Sequence, residues 1–141
     1  MTRLLITLLL AFTLGQASAQ STGNDSLYKA FGEKAGLTLL MDDFVQRLVA
    51  EPRTQAFFKN TDLSRLKTQL TDQLCMLSGG PCKYTGRDMK SAHMGMAVGK
   101  SEFNALVEVL QEAMDAKNIA FTDQNRMLAL LASMHRDIIT K

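Results

Sequence analysis

The stretch that decides the fold runs Gly79-Gly80-Pro81-Cys82-Lys83-Tyr84-Thr85-Gly86-Arg87-Asp88-Met89-Lys90-Ser91-Ala92-His93. It sets one imidazole just beyond a glycine-rich bend, with strong helical periodicity on both sides. Upstream, Leu63, Leu66, Leu70, Leu74 and Leu77 recur at three- and four-residue steps over 62–77, which puts them on one helical face. Ser78 and the paired glycines end that helix. Further back, Leu37, Leu40, Met41, Phe44 and Leu48 mark a helix over 33–50, stopped near Glu51 by Pro52. A short apolar piece over 26–31 is ended by Gly32. Downstream, Ser101 is the candidate cap of a helix whose inward stripe is Phe103, Leu106, Val107, Leu110 and Met114. Thr122 or Asp123 caps a last helix with Met127, Leu130, Leu131, Met134 and Ile138 inward. No alternating strand pattern occurs. The expected architecture is all-α, with about four main helices and a loop-rich stretch over 79–99.

An irregular stretch of about twenty residues inside a compact helical domain usually carries function. Glycines with Pro81 and Tyr84 let the chain wrap around a ligand, and Met89, His93 and Met96 fall on one face if the segment turns as a helix. A planar apolar cofactor between this segment and the neighbouring helices would be well buried. His93 Nε2 would then hold its metal, with Met89 and Val98 packed against the ring. His135, beside Arg136, lacks such a context and reads as a surface or flank residue.

With 141 residues, 46% hydrophobic and 21% charged, the chain has the size of one globular domain that buries a core and one cofactor. A formal charge of +2 without a basic stripe or an aromatic platform argues against nucleic acid as a partner. Residues 1–19 read as a cleaved secretory signal: Arg3, an apolar run over 4–14, then Ala17-Ser18-Ala19. The run is too short to span a bilayer comfortably, so no stable membrane insertion is expected after cleavage. A flexible lead over 20–25 and a single domain over 26–141 follow, and the expected location is the periplasm. Cys75 and Cys82 flank a segment that must reverse direction after a helix, so an exported chain would join them as a disulfide. Two buried thiols and a metal-binding pair are the alternatives.

The order GGPxxYTGRxMxxAH resembles the haem-binding segment of the group I truncated haemoglobins. The likeness runs from Ser26-Leu27-Tyr28 to Asp137-Ile138-Ile139, through Phe31-Gly32, Asp42-Asp43-Phe44, Phe57-Phe58 and Leu63-Ser64-Arg65-Leu66-Lys67. The resemblance implies a truncated globin fold, a two-over-two helical sandwich around one haem b. It makes His93 the proximal iron ligand, with Phe44, Phe58, Leu66, Leu70, Met89 and Val98 around the ring. It implies reversible binding of oxygen, carbon monoxide or nitric oxide, and in some members conversion of nitric oxide to nitrate. That second activity needs a reductant this sequence does not identify, so the chain reads as a binding protein before an enzyme.

Two positions depart from the family. Val45 stands where a tyrosine usually donates a hydrogen bond to the bound gas, and Leu70 where a distal glutamine is common. The distal pocket is then Val45 and leucines, with Gln69 and Gln73 flanking the stripe and able to swing in, although a glutamine so placed more often points to water. Arg65, Lys67 and Lys90 are candidate partners of the haem propionates. A different class of function is an exported copper-binding helical protein, using His93, Met94, Met96 and Met89 as ligands for Cu(I).

Overall fold

The computed structural model describes residues 24–141. The expected signal over 1–19 lies outside the described residues. The chain forms α1 (Ser26–Ala30), α2 (Glu33–Ala50), a 3-10 turn (Gln55–Phe58), α3 (Leu63–Leu77), α4 (Met89–His93), α5 (Lys100–Ala116), α6 (Phe121–Ala132) and α7 (His135–Ile138). No strand occurs among the described residues. Helix α2 packs against α3 and α5, and α6 touches both of those. The pair α2 and α3 therefore lies across the pair α5 and α6.

The core follows from the apolar stripes. Leu37, Leu40, Met41, Val45 and Leu48 of α2 meet Leu74 and Cys75 of α3, with Val109, Leu110, Ala113 and Met114 of α5 and Met127 of α6. Each large side chain so buried contributes about 1.5–3 kcal/mol before ordering costs, an upper estimate for a compact unfolded chain. The five-leucine face of α3 divides. Leu74 is buried in the core, whereas Leu63, Leu66 and Leu70 are only partly covered. Thr71 and Cys75 are buried beside Leu74.

Helix starts are partly as expected. Asp62 caps α3 by accepting the Arg65 N–H at 3.0 Å. Ser101 does not cap α5; Gly99 does, in extended backbone, and the Glu102 carboxylate accepts the Gly99 N–H at 2.8 Å. The reason lies at the other end of the chain. The Val98 carbonyl accepts the N–H groups of Thr140 at 2.9 Å and Lys141 at 3.1 Å, which fixes where the helix can begin. Neither Thr122 nor Asp123 caps α6. Its carbonyl cap is Ala120, and Gln124 secures the entry by donating to the Ile119 carbonyl at 2.9 Å and to Asp115 at 2.7 Å.

Cys75 and Cys82 form a disulfide, with Cα atoms 5.7 Å apart, and there is no free cysteine among the described residues. On a chain-entropy model a bridge closing so short a loop stabilises by about 2.5 kcal/mol. Between the two cysteines the Gly80 N–H donates to the Cys75 carbonyl at 2.8 Å. A Cβ at Gly80 would lie 2.6 Å from the Tyr28 ring and 2.7 Å from Cys75 Sγ. Gly80→Ala is therefore expected to destabilise by about 1–3 kcal/mol through overpacking, read as a thermal midpoint lower by several degrees. An unchanged midpoint would show that the Tyr28 ring yields freely.

Candidate functional site

Helix α3 presents two faces. Thr71, Leu74 and Cys75 are buried in the core, Leu66 and Leu70 are partly covered beside it, and Gln73 reaches Met89 of the segment 81–97. Two contacts join these walls. The Gln73 amide Nε2 lies 3.7 Å from Met89 Sδ on α4 and 3.7 Å from Met134 Sδ beyond α6. Gln69 packs so close to Gly86 that a side chain there would strike its Oε1 and the Tyr84 phenol. Of the two placements open to it, Gln73 takes the inward one, buried with its amide against the Met89 and Met134 thioethers.

Helix α4 is five residues long and cannot hold itself. Asp88 caps it: Oδ1 accepts the Ser91 N–H at 2.9 Å, and Oδ2 accepts the Ser91 hydroxyl at 2.7 Å. These bonds hold the Asp88 carboxyl below its ordinary pKa. A lowered carboxylate pKa supports the fold above the unfolded value, and that support is lost as the pH falls through the folded value. Order in α4 should then weaken below about pH 4. Asp88→Ala is expected to speed haem loss several-fold at neutral pH and to remove that acid dependence, measured by haem transfer to an acceptor protein. Loss rates equal to those of the unaltered chain at both pH values would refute the cap's role.

The Nδ1 of His93 sits 2.8 Å from the Met89 carbonyl. A carbonyl only accepts, so Nδ1 carries the proton and Nε2 keeps its lone pair. Nε2 has no hydrogen bond among the described residues. This is the arrangement by which proteins fix the tautomer of a metal-binding histidine. Helix α4 rests on α7, whose His135 packs edge-to-face on Phe103 at 4.8 Å between ring centres. His135 is thus a packing residue on the flank of the segment. Met96 leaves the expected face: α4 stops at His93, Gly95 turns at φ +78°, and the Met96 N–H closes on the His93 carbonyl at 3.1 Å.

The donor set tests which cofactor the residues suit. No group of three or more His, Cys, Asp or Glu side chains converges among the described residues. No such set accompanies His93, which suits a metal whose other ligands come from a prosthetic group. Apolar surface is in surplus on the core: Phe58, Leu66, Leu70, Leu106 and Leu131 pack on it yet remain partly uncovered. Phe44 and Val45 stand behind them on α2, both buried. Val98 is buried and anchored to the C-terminal residues. The Gln69 Oε1 is buried against Gly86 without a hydrogen-bond partner. A flat apolar macrocycle with one axial position for imidazole suits this set, and a cluster-bound ion does not. Two surface hollows of about 500 and 400 Å³, lined by residues such as Phe31 and Ile119 or Leu27 and Leu130, exclude His93.

Among the basic residues, Lys67 is paired with Asp42 at 2.9 Å. Arg65 and Lys90 are exposed and form no ion pair among the described residues, so they stay available to carboxylates at the slot's rim. Burial and the nearby Asp88 carboxylate push the Tyr84 phenol above its ordinary pKa, so it stays protonated and donates to the Arg87 carbonyl at 2.6 Å. Sequence reasoning missed Asp88, Gly86 and Met134 as site residues. An aspartate just before Met89 was the available signal for the cap; nothing local marks Met134 as a neighbour of Gln73.

The chain matches the model of the bacterial-like globins over residues 26–140. It is 32% identical over 118 residues to a group 1 truncated hemoglobin of Tetrahymena pyriformis, covering 82% of this chain and 96% of that one. A group 1 truncated hemoglobin of Mycolicibacterium paratuberculosis is 27% identical, with 82% and 85% covered. The solved Fe(III) form of the Tetrahymena protein superposes with a TM-score of 0.78 at 30% identity, covering 82% of this chain and 98% of that one. A Synechococcus 2/2 hemoglobin with covalently attached heme gives 0.75 at 24% identity over the same shares, a likeness of fold. All-helical around one core, with a single imidazole fixed by the Met89 carbonyl, the chain belongs to the bacterial-like globins, among the group 1 truncated haemoglobins.

Proposed function

We propose that the chain holds one haem b in the slot between α3 and α4, with His93 Nε2 on the iron, and binds diatomic gases there. The observation that carries this is the His93 imidazole, whose Nδ1–H donates to the Met89 carbonyl at 2.8 Å and leaves the Nε2 lone pair for iron. Bound haem supplies the iron at which a gas is held. Phe44, Phe58, Met89 and Val98 enclose the ring, and Arg65 and Lys90 meet its carboxylates. The test is the visible spectrum after haem addition: an intense violet band, then a histidine-type spectrum in the ferrous form with carbon monoxide. A colourless product after haem addition and gel filtration would refute it.

The distal wall sets the ligand preference. Solved variants of the Tetrahymena protein change one tyrosine and two glutamines, the first glutamine twenty-one residues after the tyrosine and the second four further on. Val45, Leu66 and Leu70 have that spacing here. Gln73 spends its amide hydrogens on two sulfurs, and Gln69 offers its buried oxygen, an acceptor. Val45, Leu66 and Leu70 themselves offer the gas no donor, which favours carbon monoxide and nitric oxide over oxygen. Oxygen-dependent removal of nitric oxide is correspondingly disfavoured. The copper reading gains no support: Met94 is 77% exposed, and the Met89 sulfur is engaged by Gln73.

Residues 1–19 and the paired cysteines support a periplasmic location. Fractionation of cells with N-terminal sequencing of the product tests it, with Gln20 as the expected first residue.

A further inference from the structure

Between Gly80 and Val98, every backbone hydrogen bond among the described residues is local. The Ala92 N–H donates to the Asp88 carbonyl at 2.9 Å and the Met96 N–H to the His93 carbonyl at 3.1 Å. The side-chain bonds of Tyr84, Arg87, Asp88 and Ser91 also stay within the segment. What ties it to the rest is the packing of α4 on α7, Gln69 against Gly86, the Gln73 amide against Met89, and the Cys75–Cys82 bond. The last is covalent. It joins the final turn of α3, whose earlier turns carry Leu66 and Leu70, to the residue from which the chain sets out toward His93. The two walls of the slot are thus clamped at one end. Cys75 is fully buried, whereas Cys82 is half-buried between exposed Pro81 and Lys83, so a reductant approaches from Cys82.

We propose that the Cys75–Cys82 disulfide is a redox clamp on the haem slot, which keeps the cofactor while oxidised and lets it go when a dithiol reduces the bond. The proposal rests on the haem reading above. A thiolate of the dithiol attacks Cys82 Sγ, the bond to Cys75 breaks, and Cys75 leaves as a thiolate that takes up a proton. The second thiol of the reductant then attacks the mixed disulfide and frees Cys82 as a thiol. Two electrons and two protons pass to the cysteines, and the dithiol becomes a disulfide. The end of α3 stays in place without the bridge, because Ser78 Oγ donates to the Leu74 carbonyl at 2.7 Å and the Tyr28 N–H to the Ser78 carbonyl at 3.2 Å. Reduction therefore frees the segment 81–97 and leaves the helical core alone.

Two measurements decide it. On the haem-free protein, reduction with dithiothreitol should speed amide exchange at Ala92 about tenfold or more while α2 amides keep their protection. On the ferric haem-loaded protein, transfer of haem to excess apomyoglobin should accelerate by a similar factor and return to the slow rate on reoxidation. The doubly substituted chain, Cys75→Ser with Cys82→Ser, should lose haem at the fast rate whether or not dithiol is present. Equal exchange and transfer rates in both redox states overturn the clamp, and so does loss of α2 protection, which would mean general unfolding. Absence of a haem band before any dithiol is added overturns the haem reading itself, and the exchange measurement on the haem-free protein keeps that failure distinct.

Discussion

Alanine in place of His93 is expected to weaken haem retention about a hundredfold or more and to erase the histidine-type ferrous carbon monoxide spectrum. The magnitude follows from the donor set. No other group of ligating side chains converges near the slot, so nothing takes over when the imidazole is removed. Apolar burial of the ring remains, and some loosely held haem with an altered spectrum should persist. Added imidazole should restore the band, because the Met89 carbonyl that orients Nδ1 is main chain and survives the substitution. His135→Ala is the control. Its ring packs on Phe103 and should affect stability modestly, with no change in the spectrum. A spectrum that survives His93→Ala and vanishes in His135→Ala would reverse the assignment.

What the sequence disclosed and what it hid divide along a physical line. The stripe of α2 was legible because burial against one core imposes a period of 3.6, and Leu37, Leu40, Met41 and Leu48 obey it; on α5 only Leu110 and Met114 of the expected stripe are buried, with Ala105, Val109 and Ala113 beside them. The turn at Gly80 and the bridge of Cys75 to Cys82 were legible because both are local. Helix α4 was not, since five residues show barely more than one turn. The start of α5 was misread at Ser101 because the deciding bonds come from Thr140 and Lys141, some forty residues away. Which way Gln73 turns was hidden for a similar reason: its surroundings are Met89 and Met134, sixteen and sixty-one residues distant in sequence. The site itself was legible at His93, where a motif and a chemical need coincide, and less so at its rim, where tertiary placement decides.

Tyrosine at Val45 is expected to slow oxygen release about five- to 150-fold, as one good hydrogen bond to a polarised ligand is worth about 1–3 kcal/mol. Carbon monoxide is less polarised and should leave at nearly its former rate, so the ratio of the two release rates isolates the hydrogen bond from general crowding. Val45 is fully buried, and the larger ring also disturbs packing by about 1–3 kcal/mol, which a lower thermal midpoint reports separately. Leu66→Gln supplies a donor from the partly covered wall of α3, where a longer side chain meets less resistance, and should slow oxygen release in the same direction. Stopped-flow ligand release for the two variants and the unaltered chain makes the comparison. Unchanged oxygen release in both would mean that a donor already serves the gas, and Gln69, whose amide lies at the edge of the slot, would be the group to remove next. Slowed release in both would tie the weak hold on oxygen to Val45, Leu66 and Leu70, three apolar residues at positions where a hydroxyl or an amide can reach the gas.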